Sequence, residues 1–526
     1  MTTLYQFKVI SHQLTADGMM EQDMGSRGVA RTKMQEHKDP SKDKMKDMQM
    51  GGQDGDMMMS PEQRMDMLQM HQKQTLWVYW LVVILGFWTI LSPLTFDYTK
   101  QVVMPSGDRS VWISLADRLL VLKWSDIVCG TLLVIFGYRS LSPNRPISVW
   151  ICCFVGIWLS MAPLFLWSPS AANYVNDTLV GTLVMGLTVL IPGMPNMILY
   201  MEMGPDTPPG WSYNPSSWPQ RWIMIVTGFL GWMVSRYLAA FQLGYIDHSW
   251  DPFFGNSTLQ VLNSTMSHSL PVSDAGLGSL AYTFEFLMGF MGSSARWRTM
   301  PWMVTFFGIL VIPLGFVHIF LVISQPILVG HWCTFCILAA SIMLPMLPLE
   351  VDEVIAMIQY MIRQTKKGEG FWKVFWKGGG IDEGDMDKRS PELINFPAQR
   401  GTIFQASIWG MSFPWTLTVS TMLGIWLVFS PYLFGVPIQT PAASLNHLCG
   451  SLIVVVSVLS MGEVLRIGRY LNVLLGLGVA GSIWFTGNAP LGISISCVVV
   501  GLLIAWLAIP LGPITQHYSG WDKYIK

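Results

Sequence analysis

The chain has 526 residues, of which 51% are hydrophobic and only 12% charged, with a mean hydropathy of +0.42; a soluble domain carries about 25% charged residues. Its 32 basic and 33 acidic residues nearly cancel, so there is no field to steer a polyanion, and nucleic acid is excluded as a partner. The abundance of Trp (24), Phe (26) and Met (36) fits a chain solvated by lipid, and seven Cys are too few for a disulfide scaffold. These properties describe an all-α polytopic membrane protein whose first partner is the lipid bilayer.

Residues 1–75 stand apart, with fourteen Met, many charges of both signs and no sustained apolar period. They read as a polar cytoplasmic tail without fixed structure, and they lack the layout of a signal peptide. Met57, Met58, Met59, Met67, Met70 and His71 are soft ligands of the kind Cu(I) takes, although a solvated low-complexity tail needs no metal. From Trp77 onward, apolar runs of membrane-spanning length recur. Twelve helices are predicted, near 76–96, 124–141, 147–167, 173–192, 222–246, 276–292, 302–323, 331–348, 409–434, 444–461, 467–487 and 492–511. The segments 193–221 and 349–408 read as cytoplasmic connections, and 512–526 as a cytoplasmic C-terminal tail.

Basic residues set the orientation. With the N-terminus inside, the inner loops hold Arg139, Arg145, Arg221, Arg296, Arg298, Arg466 and Arg469, and 349–408 adds eight more. The outer loops hold only Lys100, Arg109, Arg118 and Lys123, all in the first loop. Both termini are therefore expected to be cytoplasmic, in the inner membrane of a bacterium.

A repeat is visible within this pattern. Gly86-x-Trp88 running to Ser92-Pro93, Gly156-x-Trp158 to Ala162-Pro163, and Gly424-x-Trp426 to Ser430-Pro431 share the form G-x-W-x-x-x-[SA]-P, and a degraded copy ends at Ala489-Pro490. The following helices place Asp126, Asp177 or Asn446 four residues before Gly130, Gly181 or Gly450. The proline is expected to stop the helix and the tryptophan to anchor at headgroup level. The Asp or Asn is expected to cap the returning helix, and the glycine to let helices approach closely. This pattern resembles the SPW-repeat family of membrane hairpins over 76–192 and 409–511, a resemblance that implies a membrane module without assigned chemistry.

Residues 222–348 interrupt the repeat and carry the chemical signature His331-Trp332-Cys333-Thr334-Phe335-Cys336. Two Cys at this spacing on a helix start bring their sulfurs together, and the helix N-terminus favours a thiolate. Zinc would require further ligands, for which His331 and His318 are the nearby candidates, and incidental cysteines are a third reading. The outer, oxidising face favours a disulfide. One helix, a long outer loop, two helices joined by Arg296-Trp297-Arg298 and then the C-x-x-C helix together resemble the vitamin K epoxide reductase family. The segment Ser273-Asp274-Ala275-Gly276-Leu277-Gly278-Ser279-Leu280-Ala281-Tyr282 is similar to the start of that family's second helix.

The resemblance implies a central four-helix bundle performing thiol–disulfide exchange coupled to a quinone. By it, Cys336 faces the quinone, with Asp274 and Phe335 beside it, and Cys333 exchanges with an outer-face thioredoxin-like thiol partner. Asp274 is equally placed to be a helix N-cap. His318 and His331 are possible auxiliaries, His318 as a proton acceptor near Cys333 or as a packed histidine. Two departures stand out: the loop from Asp247 to Ala275 contains no Cys, and Ala339 and Ala340 replace an expected Tyr. A non-enzymatic membrane scaffold that keeps the fold is therefore the competing reading. Arg236 and Glu285, at membrane depth, are expected to pair; Cys129, Cys152, Cys153, Cys449 and Cys497 are expected to be small packing residues. A cysteine introduced near residue 380 should react with an impermeant maleimide only after the cytoplasmic side is opened; labelling from outside would invert the assigned topology.

Overall fold

The structure, a computed structural model, describes residues 61–100, 102–107, 109–143, 145–190, 205–379, 384–391, 400–485, 487 and 489–525. Helices form at all twelve predicted apolar runs: α1 (Pro61–Phe96), α2 (Leu115–Arg139), α3 (Pro146–Phe165), α4 (Ala171–Met185), α5 (Trp218–Gln242), α6 (Asp274–Phe290), α7 (Pro301–Ser324), α8 (Thr334–Lys366), α9 (Trp415–Leu433), α10 (Pro441–Met461), α11 (Leu471–Gly481) and α12 (Leu491–Leu507). No strand forms among the described residues, only isolated bridges. Nine helices there are long and apolar enough to cross a membrane, α11 being counted with its flanking 3₁₀ turns. The other three, α4, α6 and α12, have 15, 17 and 17 residues, and α4 runs on through the π-helical turn Gly186–Leu190. The chain is an all-α polytopic membrane protein.

Two boundaries differ from expectation. Helix α1 begins at Pro61, so residues 61–75 of the expected tail are helical. Met57, Met58, Met59 and the side chain of Met67 lie outside the described residues; Met70 is exposed and His71 buried. Helix α8 passes through Pro345 and Pro348 and continues to Lys366, well into the connection expected from 349 onward. Prolines followed by Glu350, Asp352 and Glu353 look like a membrane exit. All three carboxylates are instead buried inside packed structure, which carries the helix past the missing backbone hydrogen bonds.

The repeats pair as α1–α2, α3–α4, α9–α10 and α11–α12, and the glycines explain the closeness. A Cβ on Gly86 would meet the Gly130 carbonyl oxygen at 2.8 Å, and one on Gly130 would meet that of Gly86 at 2.6 Å. The reciprocal pairs Gly156/Gly181, Gly424/Gly450 and Gly476/Gly501 give 2.9/2.5, 2.9/2.7 and 2.5/2.5 Å. Each hairpin is therefore closed backbone against backbone, as small residues allow in lipid. The degraded fourth copy keeps its glycines.

Asp126, Asp177 and Asn446 do not cap their helices. The caps are Ser114, Ser170 and Thr440, whose side chains accept N–H bonds from Asp117, Asn173 and Ala443. The helices begin earlier than the hydropathy suggests, and these polar residues lie in their interiors, bonded both within and between hairpins. Tyr98 donates to Asp126, Asn173 and Asn176 donate to Asp177 at 2.7 and 3.0 Å, and Asp126 faces Asp177. In the second half the corresponding contact joins the Cys497 thiol to Asn446 Oδ1 at 3.2 Å, so Cys497 is a hydrogen-bonding residue and not simply a small apolar one. The motif tryptophans also reach across. Trp88 donates to Asn176 (2.7 Å), Trp158 to Ser125 (2.8 Å) and Trp426 to Ser496 (2.9 Å), each acceptor immediately preceding the facing Asp or Cys.

The expected connections are folded. Tyr213, Asn214, Ser216, Ser217 and Tyr518 are buried, and they meet the start of α5, the middle of α8 and the end of α10 in one polar layer. Arg296 makes a bidentate pair with Glu353 at 2.6 Å through both bonds, and the Ser216 hydroxyl joins the same carboxylate. Arg221 donates to the carbonyls of Gly289, Met291 and Gly292. Glu463 accepts from Thr515, Gln516 and Tyr518 of the C-terminal segment.

Interhelical hydrogen bonds in lipid average about 0.6 kcal/mol, with a maximum near ~1.7 kcal/mol. Trp426→Phe should therefore lower resistance to denaturing detergent by an amount in that range. Trp484→Phe, at a side chain 79% exposed, should leave it unchanged; equal losses would refute the cross-hairpin role of Trp426.

Candidate active site at the mouth of α8

Gly330, with φ 76°, ends the π-helical turn after α7 and turns the chain into α8. Cys333 is the N-cap of α8: its Sγ accepts the Cys336 N–H at 3.2 Å. Its own N–H donates to Gln325 Oε1 at 3.1 Å. The two sulfurs lie in bonding contact, with Cα atoms 5.2 Å apart. Cys333 is 0% exposed, whereas Cys336 is half-buried. A Cys333 that exchanges with a partner thiol would be expected nearer the surface than Cys336; the reverse holds, because the loop between α5 and α6 covers it.

Asp251 holds that loop down. Its Oδ1 accepts the Thr334 hydroxyl at 2.5 Å and the Phe254 N–H at 2.9 Å; its Oδ2 accepts the Thr258 N–H at 3.0 Å and hydroxyl at 2.8 Å. Thr258 Oγ1 in turn accepts the Thr334 N–H at 3.2 Å. Burial pushes the Asp251 carboxyl upward, but the Thr334 hydroxyl and the Phe254 and Thr258 donors outweigh it and hold the group below the usual carboxylate range. Loop and cysteine turn are therefore one hydrogen-bonded unit.

Cys336 and Phe335 border an apolar cluster with Leu238, Phe241 and Leu262. Phe335 packs on Tyr237 at 4.9 Å and Trp250 at 6.3 Å, and the Tyr237 hydroxyl accepts the Trp250 N–H at 2.8 Å. These half-open aromatic faces suit a flat, weakly polar ring. Two large cavities, of about 790 and 780 Å³, lie elsewhere, and neither is lined by Cys333 or Cys336.

Asp274 is not the N-cap of α6; Ser273 is, accepting the Gly276 N–H at 2.9 Å. The Asp274 carboxylate instead takes the Gln242 amide, the Ser267 hydroxyl at 3.2 Å and the Ala275 N–H at 2.9 Å. It is occupied as a loop clamp. Arg109 completes the clamp, donating to the Ser267 and Leu262 carbonyls; this cation of the loop between α1 and α2 is thus fixed to backbone.

His318 lies beside Tyr282, with Nδ1 3.4 Å from the hydroxyl, and Tyr282 donates to the Ala339 carbonyl one turn below Cys336. His331 Nδ1 is 3.3 Å from Ser257 Oγ. Neither histidine joins the cysteines in a ligand set, and no group of three or more His, Cys, Asp or Glu among the described residues could hold a metal ion. Trp332 stacks on His447 at 5.4 Å, connecting the cysteine turn to α10. Cys129, Cys152, Cys153, Cys449 and Cys497 are free.

Arg236 and Glu285 do not pair. The Arg236 guanidinium lies over the rings of Tyr174 and Trp232, at 4.9 and 5.1 Å, while both oxygens of the fully buried Glu285 lack hydrogen-bond partners among the described residues. Glu285 is buried whereas Arg236 is only half-buried; depth along a helix says nothing of azimuth, and Arg236 faces Tyr174 of α4. Asp251, Tyr237, Trp250, Gln242 and Gln325 all contribute to the site and carry no periodic or motif signal in the sequence. An Asp followed by Pro in a loop reads as an ordinary turn.

The vitamin K epoxide reductase family model matches residues 222–351, and the SPW repeat domain model matches residues 77–191 and 399–510. No curated protein and no solved structure matches the chain. A vitamin K epoxide reductase family domain, α5 to α8 with the C-x-x-C at its mouth, thus lies between two SPW-repeat regions of this chain.

Proposed function

We propose that this protein is a membrane thiol–disulfide oxidoreductase coupled to a quinone, with Cys333 and Cys336 as its redox pair. The observation that carries the reading is the bonding contact of these two sulfurs at a helix N-terminus within the family-matched segment. In the proposed cycle, two thiols of an outer-face, thioredoxin-like partner reduce the Cys333–Cys336 disulfide. The partner becomes oxidised, and two electrons and two protons come to rest on the pair. Re-forming the bond releases both electrons and both protons, which a bound quinone takes up to become a quinol.

Cys336 is the sulfur on the quinone side, because it borders the apolar cluster with Phe335. Phe335, Tyr237 and Trp250 supply stacking faces for the ring. Asp274 does not serve it, since its oxygens already accept three donors. Cys333 attacks or is attacked by the partner, which requires the loop tied down by Asp251 to lift, since the loop itself offers no cysteine to relay electrons. The complete burial of Cys333 also suits the scaffold reading, in which the pair is a structural staple and the domain serves assembly.

Cys336→Ser should trap a mixed disulfide between Cys333 and the partner, the resolving thiol being gone. The Cys333→Ser, Cys336→Ser variant should abolish quinone-dependent oxidation of a dithiol substrate by the purified protein. Full activity of the double variant would leave the scaffold reading standing.

The loop gate predicts a pH signature. A carboxyl held below its usual range stabilises loop docking fully above the ordinary value of about 3.9, and that contribution is lost as pH falls through the lower folded value. Reduction of the disulfide by a small phosphine should therefore be slow and flat in rate near neutrality and accelerate only in acid. Asp251→Asn should be fast throughout; an unchanged rate in this variant would remove Asp251 as the latch.

A further inference from the structure

On the side of the molecule opposite the cysteines, the short helix Phe371–Lys377 follows the end of α8. It displays Phe371, Trp372 and Trp376 at 47, 67 and 54% exposure, the composition of an element seated at a membrane interface. Two grooves flank it along α7. One, of about 790 Å³, is walled by Trp150, Phe154, Leu287, Phe306 and Trp376 and ends at Lys377. The other, of about 780 Å³, is walled by Ile312, Ile358, Ile362 and Phe375 and ends at Lys366. Ile309 of α7 lines both.

The walls are almost wholly apolar, and the charge is confined to one end of each groove. Thr299 sits with Lys377 and Thr365 with Lys366, next to the Pro301 end of α7, where its apolar span stops. Neither lysine has a carboxylate partner among the described residues, and the nearby Glu369 is taken by Lys373 at 2.8 Å. A long apolar trough with an uncompensated cation at its headgroup end is complementary to a molecule with the opposite layout, a hydrocarbon chain ending in a negative charge.

We propose that the two grooves are seats for anionic phospholipid, with acyl chains lying along α7 against Ile309 and phosphates at Lys377 and Lys366. The site is separate from the cysteine pair and does not depend on the redox reading. The first groove makes the junction of the first repeat region with the central domain, where α3 faces α6 and α7, a lipid-filled seam; the second lies within the central domain, between α7 and α8.

The test is native mass spectrometry of the full chain in mild detergent, titrated with phosphatidylglycerol or phosphatidylcholine of identical chains. Near a membrane surface each lysine is worth about fivefold in affinity for an anionic lipid. The wild-type protein should therefore retain phosphatidylglycerol in clear preference to phosphatidylcholine. Lys366→Gln with Lys377→Gln should erase the preference while leaving phosphatidylcholine binding unchanged, and the Arg pair should restore it. Ile309→Trp, which fills both grooves, should weaken both lipids. Equal retention of the two lipids by the wild type, a preference that survives in the Gln double variant, or displacement of bound phospholipid by an added quinone would each overturn the proposal.

Discussion

The Arg296–Glu353 pair is the constraint around which this molecule is arranged. A guanidinium and a carboxylate, each almost without solvent contact, are tolerable only when geometry and further hydrogen bonds satisfy every remaining donor and acceptor. Here Met288 and Met291 offer carbonyls to the guanidinium, and Ser216 gives its hydroxyl to the carboxylate. Removing one partner from such a pair typically costs about 3–5 kcal/mol, so the polar segments around it cannot drift. That requirement fixes the turn before α5, the turn between α6 and α7, and the middle of α8 against one another. Beside them, Gln220 reaches the Trp409 carbonyl at 2.9 Å and Gln359 the Tyr518 carbonyl at 3.0 Å, tying in the second repeat region and the C-terminal segment.

The two ends of the central bundle are built on opposite principles. One end is locked by buried ions with no freedom to exchange partners. The other is held by two separate carboxylates, Asp251 and Asp274, with Arg109 and a few amides and hydroxyls, several of them half-buried, and among the described residues no carboxylate–guanidinium pair like that of Arg296 and Glu353. Local opening draws on the weaker end, which is where the sulfurs are. A rigid base below and a releasable cover above would let the disulfide be exposed without disturbing the helices that position it.

Helix number, the repeat and the cysteine turn were legible in the sequence because each rests on a local rule: apolar length, a fixed spacing, two sulfurs one turn apart. The roles assigned to single polar residues were less legible. Asp126, Asp177 and Asn446 carry the signature of an N-cap only if the helix starts where hydropathy rises, and Ser114, Ser170 and Thr440 begin the helices earlier. Arg236 and Glu285 share a depth but not a facing direction, which no one-dimensional count supplies. Asp251 was invisible for a different reason: besides the local Phe254 N–H, which any turn could supply, its partners are Thr258, seven residues on, and Thr334, brought near only by the fold. Glu350, Asp352 and Glu353 were misplaced outside the membrane domain because charge in sequence marks solvent only when nothing in the fold neutralises it.

The central domain also obeys a rule of parity. It departs from the Arg296–Glu353 layer through α5 and returns to that layer through α8, so the chain comes back to the side it left. An insertion with an odd number of crossings would have delivered α9 to the opposite face and turned the second repeat region upside down. Its Gly424/Gly450 and Gly476/Gly501 closures would have survived that inversion, being internal to each hairpin. The stacking of Trp332 on His447 would not, nor would the bond from Gln359 of α8 to the Tyr518 carbonyl of the C-terminal segment. An even insertion leaves the sidedness of everything downstream untouched, which is the condition under which one membrane module can be opened to receive another.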